Sequence, residues 1–206
     1  MRRIGKALVW RTSGPEGPCR FESCLLRQKG KFKPGNIKDM EQKREIIDIK
    51  GNKKEIACLG CAIQKGEVES PGGVIASSQY FDAHQDYEIP IPGFVILVSK
   101  RHLQSVDEFT HEEREDFIEF LCRLRKAVRQ TLNIQVVYLI QEEDTSHHFH
   151  VWMFPCYDWM AEKFGRKIQS VRPIMEYARE NLKTKENLEK VNEVVEKLKL
   201  YFQDSK

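Results

Sequence analysis

The sequence of 206 residues has no long apolar run, little net charge and few cysteines. No stretch approaches the roughly 20 apolar residues of a membrane-spanning helix, so no membrane association is predicted. The net charge of +3 is too small to indicate nucleic-acid binding by itself. Six cysteines are too sparse for a dense disulfide framework. No clear signal peptide opens the sequence, and together these features predict a cytoplasmic protein.

The composition does supply enough apolar material for a folded core, because 40% of the residues are hydrophobic and 32% are charged. The length fits one domain with appendages or two small domains. Residues 1–39 are basic and show neither helical nor strand periodicity. Two alternatives stay open for them: a disordered tail, or an extension that is not native protein, with the true start at Met40. Residues 40–56 are interpreted as a charged leader.

The strongest functional signal is a short segment that holds three of the six histidines. Residues 149–154 are β-branched, aromatic or apolar apart from His150, which predicts a strand. Alternate side chains of a strand share a face. One face is therefore predicted to carry Ser146, His148, His150 and Trp152, and the other, facing the core, to carry His147, Phe149, Val151 and Met153. Two imidazoles on one face can bind a small anion; structural histidines or a metal site are the alternatives.

Other segments show clear periodicity. Runs rich in β-branched, aromatic and apolar residues predict strands at residues 74–76, 79–81, 94–99 and 135–141. The run at 94–99 is almost continuously apolar, which predicts a central strand buried on both faces. Thr110 and Glu113 form a capping box, and the apolar spacing after it predicts an amphipathic helix over residues 111–132. Two further helices are predicted over residues 173–181 and 188–202, and the apolar stripe of the second is expected to pack on the core or on a partner helix.

Several of these segments resemble the histidine-triad (HIT) superfamily. Residues 93–102, Gly-Phe-Val-Ile-Leu-Val-Ser-Lys-Arg-His, are similar to the HIT segment Gly-His-x-Leu-x-Ile-Pro-Lys-x-His. His148 and His150 match the second and third histidines of the motif His-x-His-x-His, with Ser146 at the first. A C-x-x-C pair followed by Lys-Gly-Glu resembles the opening of many bacterial members.

The resemblance covers residues 57–158 and implies an α+β fold. The expected domain is a HIT-like, meander-like antiparallel sheet with one long helix, and residues 159–206 form a C-terminal helical extension. Members of this family commonly dimerise through the long helix and a sheet edge, so a homodimer is expected.

The resemblance also implies a catalytic mechanism. His148 is predicted to be the nucleophile, which attacks an α-phosphate and forms a nucleotidyl-histidine that water then hydrolyses. His150 would hydrogen-bond a phosphate oxygen. Ser146 replaces the histidine that supports the nucleophile, and acidic residues replace a glycine-rich turn before the motif. Thr145 and Ser146 are predicted to provide hydroxyl donors in their place.

Two further sites follow from the same resemblance. Asp86 is predicted to bind the ribose hydroxyls and His84 to stack on the base; a capping aspartate and a surface histidine are the alternatives. Cys58, Cys61 and His102 resemble three ligands of a structural zinc site, for which a fourth is needed. Because Ser146 stands where the fourth ligand is expected, a pair of buried free thiols remains the alternative. The predicted reaction requires no cofactor.

The predicted function is hydrolysis of dinucleoside polyphosphates or nucleoside phosphate conjugates, as in bacterial HIT hydrolases. A histidine at position 150, where transferase and phosphorylase branches carry glutamine, favours hydrolysis over transfer. The first alternative is a catalytically weak or inactive protein that binds purine nucleotides. The second is a zinc-stabilised protein that interacts through its C-terminal helix.

Overall fold

The computed structural model describes residues 43–143 and 147–204. The predictions for residues 1–39, Thr145 and Ser146 lie outside these ranges. Within them the chain has an α+β fold, as predicted, with helices on both faces of one antiparallel sheet. No helix in the described ranges combines the length and hydropathy that crossing a bilayer requires.

The secondary-structure elements follow one another in a simple order. A hairpin and a short helix come first: β1 (Arg44–Ile47), β2 (Lys53–Ile56) and α1 (Leu59–Gln64). The central part follows, with β3 (Val74–Ser77), β4 (Phe81–Gln85), β5 (Val95–Ser99), α2 (His111–Leu132), β6 (Val137–Gln141) and β7 (His150–Pro155). The chain continues with α3 (Asp158–Phe164), α4 (Val171–Asn181) and α5 (Lys185–Asp204).

Strand β7, which carries the histidine motif, is paired on both sides. The five-stranded sheet has the order β3-β4-β5-β7-β6. In its register, Val98 of β5 lies opposite His150 and Ile96 lies opposite Trp152. Since directly opposed residues of antiparallel strands point to the same face, these side chains share one side of the sheet. The strand order thus brings His150 to the middle of a sheet face.

The first sheet face is buried under α2 and α5. Both helices bury an apolar stripe against it, and the cluster includes Phe120, Leu124, Val128, Val195, Leu198 and Phe202. Phe149, Val151 and Met153 belong to the same cluster, which confirms the predicted core face of the histidine segment. His147, predicted to lie with them, is exposed because it precedes the start of β7.

The second face is only partly covered. Helices α3 and α4 pack there on Trp152, Phe154 and the loop before β5, through a cluster that includes Ile89, Phe94, Met160, Ile174, Met175 and Ala178. The part of this face that carries His150 is not filled by that cluster. Helix α4 therefore forms the wall of an opening above the sheet.

Most predicted elements are present, with shifts at their ends. The helix over residues 111–132 is confirmed, and both hydrogen bonds of its capping box are formed. The predicted strand at residues 79–81 is misplaced, because Ser78 hydrogen-bonds Phe81 across a turn and the strand only begins at Phe81. Residues 44–56 of the segment interpreted as a charged leader pair as the β1–β2 hairpin.

Candidate functional site

A cavity of about 240 Å³ opens on the second sheet face and is lined by His84, Val98, His150 and Trp152. The sheet register explains why they meet: His84 lies opposite Ile96, which lies opposite Trp152 on the next strand. Helices α1 and α4 close the sides. Openings of about 360 and 450 Å³ elsewhere in the described structure have no histidine in their walls, so this cavity is the candidate active site.

His150 presents one defined ring nitrogen to this cavity. Its Nδ1 lies 2.9 Å from the carbonyl oxygen of His148. Because a carbonyl oxygen only accepts, Nδ1 must carry the proton and Nε2 is the unprotonated nitrogen of the neutral ring. The Nε2 atom lies 3.8 Å from Oε1 of Glu142, and the side chain of His150 is 14% exposed. The ring is therefore oriented by the backbone, and in its neutral form Nε2 is the nitrogen with a lone pair.

His148 lines the same cavity, but both of its ring nitrogens are engaged. Its Nε2 lies 2.8 Å from the carbonyl oxygen of Ser99, to which it donates. Its Nδ1 lies 3.3 Å from Sγ of Cys58 and 3.5 Å from Sγ of Cys61. The residue is only 2% exposed. This environment differs from the one expected of a nucleophile, and it suits a ligand of a metal ion.

Four side chains converge at this point: Cys58, Cys61, His102 and His148, whose ligand atoms all lie within 4.8 Å of one another. His102 Nδ1 lies 3.1 Å from Sγ of Cys61 and 3.7 Å from Sγ of Cys58. In tetrahedral zinc with sulfur and nitrogen ligands, neighbouring ligand atoms are about 3.6 Å apart. The observed spacings and the Cys₂His₂ donor set therefore fit zinc. The fourth group, which the sequence analysis expected at position 146, is His148.

The two thiols are also electrostatically asymmetric. Burial raises the pKa of the Cys58 thiol, but the hydrogen bonds that its sulfur shares with the His148 ring and with the Cys61 N–H outweigh this effect and lower that pKa to about 7. Burial and the neighbouring Cys58 raise the pKa of Cys61 to about 11. Cys58 is therefore the thiol of the pair that loses its proton more readily. A dication would favour the second thiolate, because metal ligands are bound as thiolates.

Gly60 allows α1 to approach the His148 ring. A Cβ atom at this position would lie 2.6 Å from Cγ and 2.7 Å from Nδ1 of His148. Cys58 caps the same helix, since its Sγ accepts from the Cys61 N–H at 3.4 Å. The C-x-G-C sequence thus supplies two thiols, a helix start and the space for an imidazole.

His84 and Asp86 both line the cavity. Oδ1 of Asp86 accepts from the backbone N–H groups of Glu88 and Ile89 at 2.9 and 2.7 Å, as a turn-capping aspartate does. Nδ1 of the buried His84 lies 2.8 Å from Oγ of Ser70, while its Nε2 has no hydrogen-bond partner among the described residues. One polar nitrogen of His84 is thus left for a ligand.

Burial raises the pKa of the Asp86 carboxyl to about 7, against the lowering effects of the Ile89 and Glu88 N–H groups and of Arg179. The unfolded carboxyl titrates near 3.8. Between pH 3.8 and about pH 7 the folded protein therefore binds more protons than the unfolded protein. Its free energy of unfolding falls as the pH rises through this range. We expect the change in the free energy of unfolding that is due to Asp86 to reach up to about 4 kcal/mol.

The Asp86→Asn variant lacks this titration, so its stability relative to the unsubstituted protein should increase between about pH 4.5 and about pH 8. Urea unfolding of both proteins at several pH values measures the difference. A difference that stays constant across the range contradicts the raised pKa of Asp86.

The contribution of α4 to the cavity was not predicted from the sequence. Arg172, Met175 and Arg179 line it from one face of that helix. Their spacing of three and four residues places them on a common face, but the interpretation of this segment considered only a short helix. Glu142 also lines the cavity; its place next to His150 depends on the β6–β7 connection.

Comparison with known proteins identifies the fold. No family model and no curated protein matches the sequence. Among solved structures, a HIT-like protein involved in cell-cycle regulation from Bartonella henselae matches with a TM-score of 0.50 and 16% identity, covering 68% of this chain and 92% of that one. A zinc-bound histidine triad family protein from Mycobacterium smegmatis matches with a TM-score of 0.48 and 16% identity, covering 72% and 97%.

A HIT family protein from Bacillus anthracis has 23% identity to this chain and a TM-score of 0.46, covering 61% of this chain and 89% of that one. At these sequence identities, the similarity to the solved structures shows a shared fold only. The Bartonella match, together with the antiparallel sheet and the long helix α2, shows that the chain has the histidine-triad fold. Its activity has to be argued from the residues of the cavity.

Proposed function

We propose that this protein is a nucleotide hydrolase of the HIT type and that His150, in place of His148, is its nucleophile. The observation that carries the proposal is the hydrogen bond from Nδ1 of His150 to the His148 carbonyl oxygen. It fixes the tautomer in which Nε2 has a free lone pair at the cavity surface. An oriented, neutral imidazole can attack phosphorus without a separate strong base.

The proposed reaction has two displacements. In the first, Nε2 of His150 forms a bond to the α-phosphorus, and the bond from that phosphorus to the bridging atom breaks, releasing the second phosphate or conjugate group. In the second, water attacks the same phosphorus and the N–P bond breaks, which returns the lone pair to Nε2 and releases a nucleoside monophosphate. In this proposal Glu142, whose Oε1 lies 3.8 Å from Nε2, accepts the proton of the attacking water.

The remaining cavity residues have complementary roles in this proposal. The second carboxylate oxygen of Asp86 accepts hydrogen bonds from ribose hydroxyls, and His84 contacts a purine base. Thr145 and Ser146, next to the start of the histidine segment, remain proposed hydroxyl donors to the phosphate. We also propose that the protein acts as a homodimer in the cytoplasm.

We further propose that Cys58, Cys61, His102 and His148 hold a structural zinc ion. A bound zinc ion would fix the four side chains relative to one another and would take no part in the displacements. His148 then acts indirectly, because its backbone carbonyl orients the His150 ring.

A nucleotide-binding protein without turnover is the second candidate. It is favoured by Trp152, which stands two residues after His150 on the same strand face, at the next alternating position of the motif. An indole has one donor and no charge to balance a phosphate. Binding of AMP would then occur without cleavage of any ester or anhydride.

Incubation of the protein with diadenosine polyphosphates and with an adenosine phosphoramidate, followed by chromatography, tests the proposal. We expect release of AMP and, after rapid acid-free quenching, an adenylylated protein. Calorimetry with AMP provides the second measurement. Binding of AMP with no product from any of these compounds would instead establish the binding protein.

A further inference from the structure

Helix α4 places two arginines in the wall of the cavity. Arg172 and Arg179 line it together with Met175, which lies between them on the same helix face. Seven residues correspond to about 10 Å along a helix axis. The two guanidinium groups are therefore distributed along the cavity and suit an extended anion better than a single point charge.

The neighbouring face of α4 holds the helix in place. Val171, Ile174 and Ala178 are at most 3% exposed and belong to the same apolar cluster as Trp152. Because the helix is anchored in this way, the backbone positions of its two arginines are fixed relative to the cavity. The cavity wall is thus a fixed part of the fold.

Arg172 is linked to His150 through the ring of Trp152. Its guanidinium carbon lies 5.0 Å from the centre of the Trp152 ring, and that ring lies 6.1 Å from the His150 ring. Cation–π contact with Trp152 holds the guanidinium over the same strand face as His150. Its planar donors remain at the cavity, where they can bind phosphate in a bidentate manner.

Neither arginine forms an ion pair with another side chain in residues 43–143 or 147–204, although Arg179 is near enough to Asp86 to lower the pKa of that carboxyl. Three carboxyl groups also line the cavity, from Asp86, Glu88 and Glu142. Of these, Asp86 is engaged by two backbone N–H groups and Glu142 lies beside His150. Arg172 and Arg179 are the cationic side chains that α4 contributes to the cavity, and Arg44 lines it as well.

We infer that Arg172 and Arg179 bind phosphate groups other than the one that reacts with His150. The preferred substrates are then nucleoside oligophosphates, whose phosphates are joined by phosphoanhydride bonds. Conjugates with an uncharged leaving group would bind less well, because they lack a second phosphate for these arginines. This inference rests on the proposed function and narrows its substrate class. Each additional phosphate adds negative charge for which the α4 wall supplies charge-assisted hydrogen bonds.

Calorimetry with AMP, ADP and ATP, in buffer without chelator, tests the inference. Affinity is expected to rise from AMP to ADP to ATP in the unsubstituted protein. Arg172→Gln and Arg179→Gln should each lower the ratio of ADP to AMP affinity by about tenfold, the loss of one charge-assisted hydrogen bond. Arg129→Gln, a change of an exposed arginine of α2 that does not line the cavity, should leave the ratio unchanged.

The outcomes separate the inference from the proposed function. Equal affinities for AMP, ADP and ATP overturn the inference and leave the proposed function intact, whereas no binding of any of the three overturns both. An equal loss of AMP and ADP affinity in Arg172→Gln assigns that residue to packing on Trp152 alone and also contradicts the inference. If Arg172→Gln does not fold, as judged by circular dichroism, Arg179→Gln decides the question, since Arg179 contacts no aromatic ring among the described residues.

Discussion

Replacing His150 with alanine is expected to reduce hydrolysis of diadenosine polyphosphates by at least about a thousandfold, because the variant lacks the atom that bonds to phosphorus. AMP affinity should remain within about threefold, since most binding groups are untouched. Steady-state kinetics and calorimetry measure the two effects. The adenylylated protein should also be absent after quenching.

The neighbouring His147 provides a matched control. It is exposed and is not among the residues that line the cavity, so His147→Ala should retain full turnover and AMP binding. A His150→Ala variant that hydrolyses diadenosine polyphosphates at the rate of His147→Ala would remove the chemical basis of the proposed function.

The second large effect concerns the Cys₂His₂ cluster. We expect the protein to bind one zinc ion per chain, and Cys61→Ser to abolish tight binding, because a hydroxyl is a poor zinc ligand. A ligand present at a thousand times its dissociation constant stabilises the folded state by about 4 kcal/mol. In a protein of this size, loss of that stabilisation lowers the melting temperature by about 10 °C.

Two other variants sharpen this test. Cys122→Ser changes an exposed free cysteine of α2 and should leave both the zinc content and the melting temperature unchanged. Gly60→Ala retains all four ligands but places a methyl group 2.6 Å from the His148 ring, so it should weaken zinc binding by at least about tenfold. Zinc content by atomic absorption and melting with and without a chelator provide the measurements; normal zinc binding by Cys61→Ser contradicts the assignment.

The sequence predicted the parts of the fold that depend on local periodicity. The helix over residues 111–132 shows a capping box and a continuous apolar stripe, and both have local causes. The burial of Phe149, Val151 and Met153 follows from alternation along one extended segment. The fold class followed from the order of these segments and from the resemblance to HIT proteins.

The environment of His148 could not be predicted in the same way. Alternation was extended back to residue 146, but β7 begins at His150, and side chains before a strand do not have to follow its pattern. The position of His148 is set by α1, some 90 residues earlier in the chain, where Gly60 leaves space for its ring. Such a contact between distant segments depends on the tertiary fold.

The role of the α4 arginines in the cavity wall could not be predicted from the sequence either. Their spacing is visible in the sequence, but only the packing of Ile174 and Ala178 beside Trp152 shows which side of the helix faces the cavity. A charged helix face is ordinarily solvated. A function can be assigned to such a helix face only when the part of the protein that it faces is known.

The burial of α5 determines how the chain can be shortened. Val195, Leu198 and Phe202 share one apolar cluster with α2 and the sheet, and Gly72 closely approaches Val195. A fragment that ends at residue 158 would leave these sheet and α2 surfaces facing water, together with the surface that α4 covers. Such a fragment is expected to aggregate or to be degraded, even though it retains every histidine and cysteine of the site, so the smallest autonomous folding unit includes the C-terminal helices.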